Sequence, residues 1–132
     1  MTGTQAARIG FALFFVAAGT MHFVAPGYYR TIVPSYLPAP GELVAVSGAA
    51  EVLGGIGLLV PRLRRVAGIW LIVVLVAIVP ANVEMLRLYQ SRGVSPLAEL
   101  LLWLRLPLQG LLIWWAWRLS RGSRPRTREV AV

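Results

Sequence analysis

The sequence predicts an all-α, polytopic membrane protein built as a four-transmembrane-helix bundle, and three observations carry that prediction. The 132-residue chain is 58% hydrophobic and only 14% charged, against about 25% charged for an ordinary soluble domain. Apolar runs of the roughly 20 residues needed to cross a bilayer can be drawn four times. Arginines gather at those run ends that fall on one side of such a bundle.

The first run covers residues 6–25. Arg8 ahead of an apolar stretch and "VAAG" near its end have the form of a secretory signal. The remaining chain is equally apolar, so an uncleaved first helix is expected. The connection "PGYYRTIVPSYLPAP" is too rich in proline to continue a helix. Its Tyr28, Tyr29, Ile32, Val33, Tyr36 and Leu37 make it too apolar for a free loop, so it is expected to lie in the membrane interface, with a lid over a cavity as its functional version. The second run covers residues 42–60, the third 66–86 and the fourth 97–119. Trp114, Trp115 and Trp117 close the fourth as an interfacial aromatic anchor. Residues 1–119 thus form one transmembrane domain, and 120–132 an arginine-rich tail expected to be disordered near anionic headgroups.

The net charge of +8 comes from arginine alone, since the chain has neither lysine nor aspartate. With the N-terminus inside, Arg8, Arg62, Arg64, Arg65, Arg118, Arg121, Arg124, Arg126 and Arg128 face the cytoplasm, leaving Arg30, Arg87 and Arg92 outside. That asymmetry predicts cytoplasmic N- and C-termini in a bacterial plasma (inner) membrane. Charge held at membrane edges points to the lipid bilayer as partner rather than to nucleic acid.

The absence of cysteine removes thiol nucleophiles, disulfides and thiolate metal sites. A single histidine, His22, excludes a haem held by two histidines of this chain. No phosphate-binding loop motif occurs, and "GGIG" at residues 54–57 reads as helix packing. No metal, haem or catalytic nucleophile–base pair is expected.

The polar residues inside the apolar runs are more informative. Ser47, Glu51, Gly54 and Gly55 share one face of the second run. Arg105, Pro107 and Gln109 interrupt "LLLWLRLPLQGLLIWWAW". Glu51 and Arg105 lie roughly 13 and 12 Å from the same end of the bundle at 1.5 Å per residue. A lone charge at that depth costs roughly 2.5 to 3.5 kcal/mol on insertion scales, so a Glu51–Arg105 ion pair is expected, with Gln109 one turn beyond Arg105 and Pro107 freeing a carbonyl. His22 and Asn82 approach from the outer end. Glu84 is rotated about 200° from Asn82 on a helix, so Asn82 is expected inside and Glu84 outside. The set His22, Asn82, Glu51, Arg105 and Gln109 is open to four readings: a structural polar network, a site for a small molecule such as quinone, a proton or ion path, and a metal site, the last with too few ligands.

The succession "AGTMHFVAPGYYRTIVPSYLP", "VSGAAEVLGGIGLLVPRLRRVAG", "VPANVEML" and "LRLPLQGLLIWWAW" resembles the DoxX-like family of small bacterial four-helix membrane proteins, from about residue 6 to 117. The resemblance points to His22 with Phe23, Pro34 and Pro38, Glu51 with Gly54 and Gly55, Pro80 with Ala81 and Asn82, and Arg105 with Pro107 and Gln109. It implies a bundle associated with redox or quinone-linked membrane complexes. Two functions follow as expectations: a non-catalytic subunit or assembly partner of a membrane complex, redox-linked in character, or a binder of quinone or another lipid-soluble molecule at the intramembrane cluster.

Overall fold

A computed structural model describes residues 2–121, and it is all-α. Helix α1 spans Gly3–Val24, α2 Pro26–Thr31, α3 Pro40–Leu59, α4 Arg64–Ala77, α5 Val79–Ser91 and α6 Pro96–Ser120. Of the expected tail, residues 122–132 lie outside the described residues. The helices α1, α3 and α6, together with the α4–α5 pair over Arg64–Ser91, are each long and apolar enough to cross a membrane. The protein is therefore a multi-pass membrane protein with a four-helix bundle.

Local chemistry sets the helix starts. Thr2 accepts the Gln5 backbone N–H at 3.3 Å, while its own N–H donates to Gln5 Oε1 at 2.8 Å, closing a capping box at α1. Proline occupies the first turn of α2, α3 and α6, where its missing N–H costs no helical bond. Ser95 caps α6 by accepting from Ala98 N.

The third span, expected over 66–86, is present over Arg64–Ser91, but its helix is interrupted at Ile78, where α4 and α5 meet. Pro80 is the physical reason: it has no N–H to continue the α4 ladder and sits in the first turn of α5. Helix α6, by contrast, runs unbroken through Pro107.

Packing proceeds from α1 to α3, α3 to α4, and α4 to α6, with α5 also against α6. Small residues permit the closest of these contacts. A Cβ on Gly48 would fall 2.6 Å from His22 Cβ, and one on Gly55 would fall 2.7 Å from the Ala12 carbonyl oxygen. The solid apolar core, including Phe11, Phe15, Leu58, Leu71, Ala116 and Leu119, fills the half of the bundle that holds the start of α1 and the end of α6. Phe11 meets Trp115 there at 5.7 Å between ring centres, linking α1 to α6. Arg118 and Arg121 lie over Trp114 and Trp117 at 5.1 and 3.9 Å at the same end. At the opposite end, α2 and the segment after it cover the bundle, with Ile32 and Pro34 buried.

Replacing Gly48 with valine should lower thermal stability by about 1–3 kcal/mol, the usual cost of overpacking, because no room exists between α1 and α3. Gly10→Ala, with open space around its Cβ, should leave the melting temperature of the detergent-solubilised protein nearly unchanged.

Candidate functional site: a polar-ended cavity

The half of the bundle beneath α2 is hollow. A cavity of about 640 Å³ is bounded by α1, α3, the α4–α5 junction, α6 and the segment after α2. All five residues singled out in the sequence, His22, Glu51, Asn82, Arg105 and Gln109, line it, joined by Tyr29 and Ser47. Most of the remaining wall is apolar, with Phe15, Val74, Leu108 and Leu112 among its residues. The wall also reaches the bundle's outer surface, where Val46 is 65% and Val73 57% exposed.

One side of the cavity is organised by a directed chain of hydrogen bonds. Arg105 Nε donates to Asn82 Oδ1 at 2.9 Å, and Asn82 Nδ2 donates to Gln109 Oε1 at 2.7 Å. Gln109 Nε2 then donates to the Leu75 carbonyl. Leu75 belongs to the last turn of α4, whose carbonyls lose their helical partners where the helix ends. The break at Ile78 thus creates the acceptor, and Gln109 on α6 satisfies it. Both amides are buried, and each has its donor and acceptor engaged.

His22 organises the other side. Its Nδ1 lies 3.0 Å from the Val44 carbonyl oxygen and 3.0 Å from Ser47 Oγ, while Ser47 Oγ donates to the same carbonyl at 3.0 Å. A carbonyl can only accept, so Nδ1 carries the proton in the neutral ring. Nε2 is then an acceptor, 3.7 Å from Glu51 Oε1, beyond hydrogen-bond distance. Tyr29 stacks on the imidazole, 4.0 Å between ring centres and 29° between planes. Burial raises the Tyr29 phenol above the ordinary tyrosine range, with the Glu51 carboxylate adding to the rise and Arg105 opposing it. That phenol therefore feels both charged residues of the cavity.

The expected Glu51–Arg105 ion pair is not formed. Glu51, only 4% exposed, faces His22, and Arg105 is bonded to Asn82. The two charges line the same cavity, as their depth requires, but Asn82 on the adjoining helix is the nearer partner for Arg105. Nor is Arg105 buried: its side chain stands open on α6. Asn82 faces inward at 7% exposure, whereas Glu84 turns outward toward Arg87 at 3.9 Å.

Sequence reasoning missed Tyr29, which it placed only in the interfacial segment, and the backbone acceptors at Val44 and Leu75. Pro80 held the signal for the second acceptor, because a proline so placed frees carbonyls in the preceding turn. Among the described residues no three of His, Cys, Asp or Glu converge as metal ligands.

Gln109→Leu should cost about 1–3 kcal/mol, the penalty for leaving the Leu75 carbonyl and an Asn82 donor buried and unpaired. Arg105→Gln, which loses one bond on an open side chain, should cost less. Denaturation of both variants in the same detergent checks the order.

Neither a curated protein nor a solved structure matches the chain significantly. One family model, described as a domain of unknown function (DUF8561), matches residues 11–120, which contain every polar residue of the cavity. The chain belongs to the DUF8561 family.

Proposed function

We propose that this protein is a non-catalytic membrane component that binds a small lipid-soluble molecule with a polar head, of quinone type, in the cavity beneath α2. The observation that carries this reading is the cavity's division into a polar set and an apolar wall that reaches the lipid-facing surface at Val46 and Val73. Such a shape accepts an amphipathic ligand from the bilayer. Arg105 spends its Nε–H on Asn82, which fixes the guanidinium and leaves its terminal nitrogens as donors for a carbonyl oxygen. On the facing wall His22 Nε2 accepts from a hydroxyl, as the reduced form of such a head would present. Tyr29 closes the head group off from the bundle end.

A second reading, the subunit or assembly partner of a membrane complex, is favoured by α6. That helix exposes Leu97, Leu101, Trp103, Leu104 and Leu111, a long apolar surface suited to a neighbouring membrane protein as well as to lipid. The order of motifs that resembles the DoxX-like family supports a redox-linked complex under either reading. We place the protein in a bacterial plasma membrane with both termini in the cytoplasm, on the arginine asymmetry.

A short-chain quinone analogue added at saturation should raise the melting temperature of the purified protein. A ligand that binds only the folded state stabilises it by about 2.7 kcal/mol at a hundredfold excess over Kd. Arg105→Gln should abolish the rise and Arg92→Gln, at the far end of α5, should retain it. The absence of any shift at saturating concentration would leave the subunit reading as the better account. For orientation, cysteines placed at Ser35 and Arg62 should label from opposite sides of intact cells, with Ser35→Cys reached from outside. Labelling of Arg62→Cys from outside would reverse the topology.

A further inference from the structure

Independently of the cavity, the end of the bundle where α1 starts and α6 ends contains a second polar feature. Arg8 on α1 is 5% exposed, and its Nε is buried without a hydrogen-bond partner. Arg64, the first residue of α4, has a buried Nε in the same condition. Helix contacts bring the two together. Ala12, one turn after Arg8, meets Gly55 of α3, and Gly57, just beyond it, meets Ala67, one turn into α4. Both side chains are positively charged, so they repel one another.

Among the described residues, nothing at this end offsets that repulsion. Arg62, Arg65, Arg118 and Arg121 add further positive charge, and Arg118 and Arg121 are spent on tryptophan faces. Among the described residues the acids are Glu42, Glu84 and Glu99 toward the α2 end and Glu51 in the cavity. Leu63 supplies no side-chain cap to α4, so the first-turn N–H groups of that 14-residue helix also point at this end without a side-chain acceptor. Two guanidinium groups and an uncapped helix start are together a set of donors that no acid among the described residues meets.

We infer that Arg8 and Arg64, with the start of α4, form a binding site for a phosphate group. Each guanidinium presents paired N–H donors that fit phosphate oxygens, and a phosphate between them converts mutual repulsion into two attractions. The site lies where the spans end, at the depth of lipid headgroups, so the phosphate of an anionic phospholipid and free phosphate are its two sources.

The test uses the full-length protein, delipidated in a non-ionic maltoside detergent and phosphate-free buffer. Phosphatidylglycerol, phosphatidylcholine or inorganic phosphate is then titrated in, and the melting temperature is read. Phosphatidylglycerol should raise it by several degrees, more than phosphatidylcholine does. Arg8→Gln and Arg64→Gln should each lose most of that increment, while Arg92→Gln at the opposite end keeps it. Without any anion, Arg8→Gln should melt no lower than the wild type, because it removes a buried charge whose Nε has no partner among the described residues. Should Arg8→Gln fail to fold, Arg64→Gln reads the same increment from a half-exposed position. An equal rise with inorganic phosphate, one that leaves no further effect of phosphatidylglycerol, supports the same residues with free phosphate as the source. An increment that persists unchanged in both arginine variants, or that falls equally in Arg92→Gln, overturns the proposal.

Discussion

The hydrogen bond from Gln109 to the Leu75 carbonyl is the contact on which the cavity-bearing half of this bundle depends. A helix that stops inside a membrane leaves carbonyls without partners, and the hydrocarbon offers none. The α4–α5 break at Ile78 would be unfavourable without an outside donor. Gln109 supplies it from α6, Asn82 holds Gln109, and Arg105 holds Asn82. A single chain of donors thus fastens α6 to the break and fixes the guanidinium at the cavity wall.

This arrangement divides the molecule along its length. Toward the start of α1 and the end of α6, apolar side chains from α1, α3, α4 and α6 fill the bundle, with Phe15, Leu58 and Leu71 almost wholly buried. Toward α2 the same four spans enclose space. Glycines bring α1 against α3 so closely that His22 meets Gly48, which presses the imidazole onto the Val44 carbonyl. On the opposite wall the helix break draws in Gln109 and Asn82. Two different backbone features, a close approach and a broken ladder, therefore present side chains to one cavity. Both walls are preorganised by bonds to main-chain carbonyls rather than by attraction between Glu51 and Arg105. Those two residues keep their charge-bearing atoms available to a third party.

Much of this was legible in the sequence, for physical reasons that also explain what was not. Span length and hydropathy are local properties, so the four spans were predictable to within a few residues at most ends. The depth of Glu51 and of Arg105 follows from counting residues, and both do reach the same cavity. Counting gives height but not which of several polar neighbours is nearer, and at Arg105 the neighbour is Asn82. Hydropathy continues across Ile78, so the third run looked like one helix despite Pro80. The stacking of Tyr29 on His22 depends on how α2 folds over the bundle end, which no local pattern encodes. Arg8 reads from the sequence only as a charge at the start of the first helix, because its burial comes from the packing of the bundle.

The central claim is that Asn82 and Gln109 act as one unit tying α6 to the broken third span. A double-mutant cycle of Asn82→Leu and Gln109→Leu, read by reversible unfolding in a fixed membrane mimetic, measures that directly. Residues in one hydrogen-bond network couple by about 0.5–3 kcal/mol, so the double variant should lose clearly less stability than the two single losses combined. Strictly additive losses would show that the two amides do not form one unit and would contradict the account.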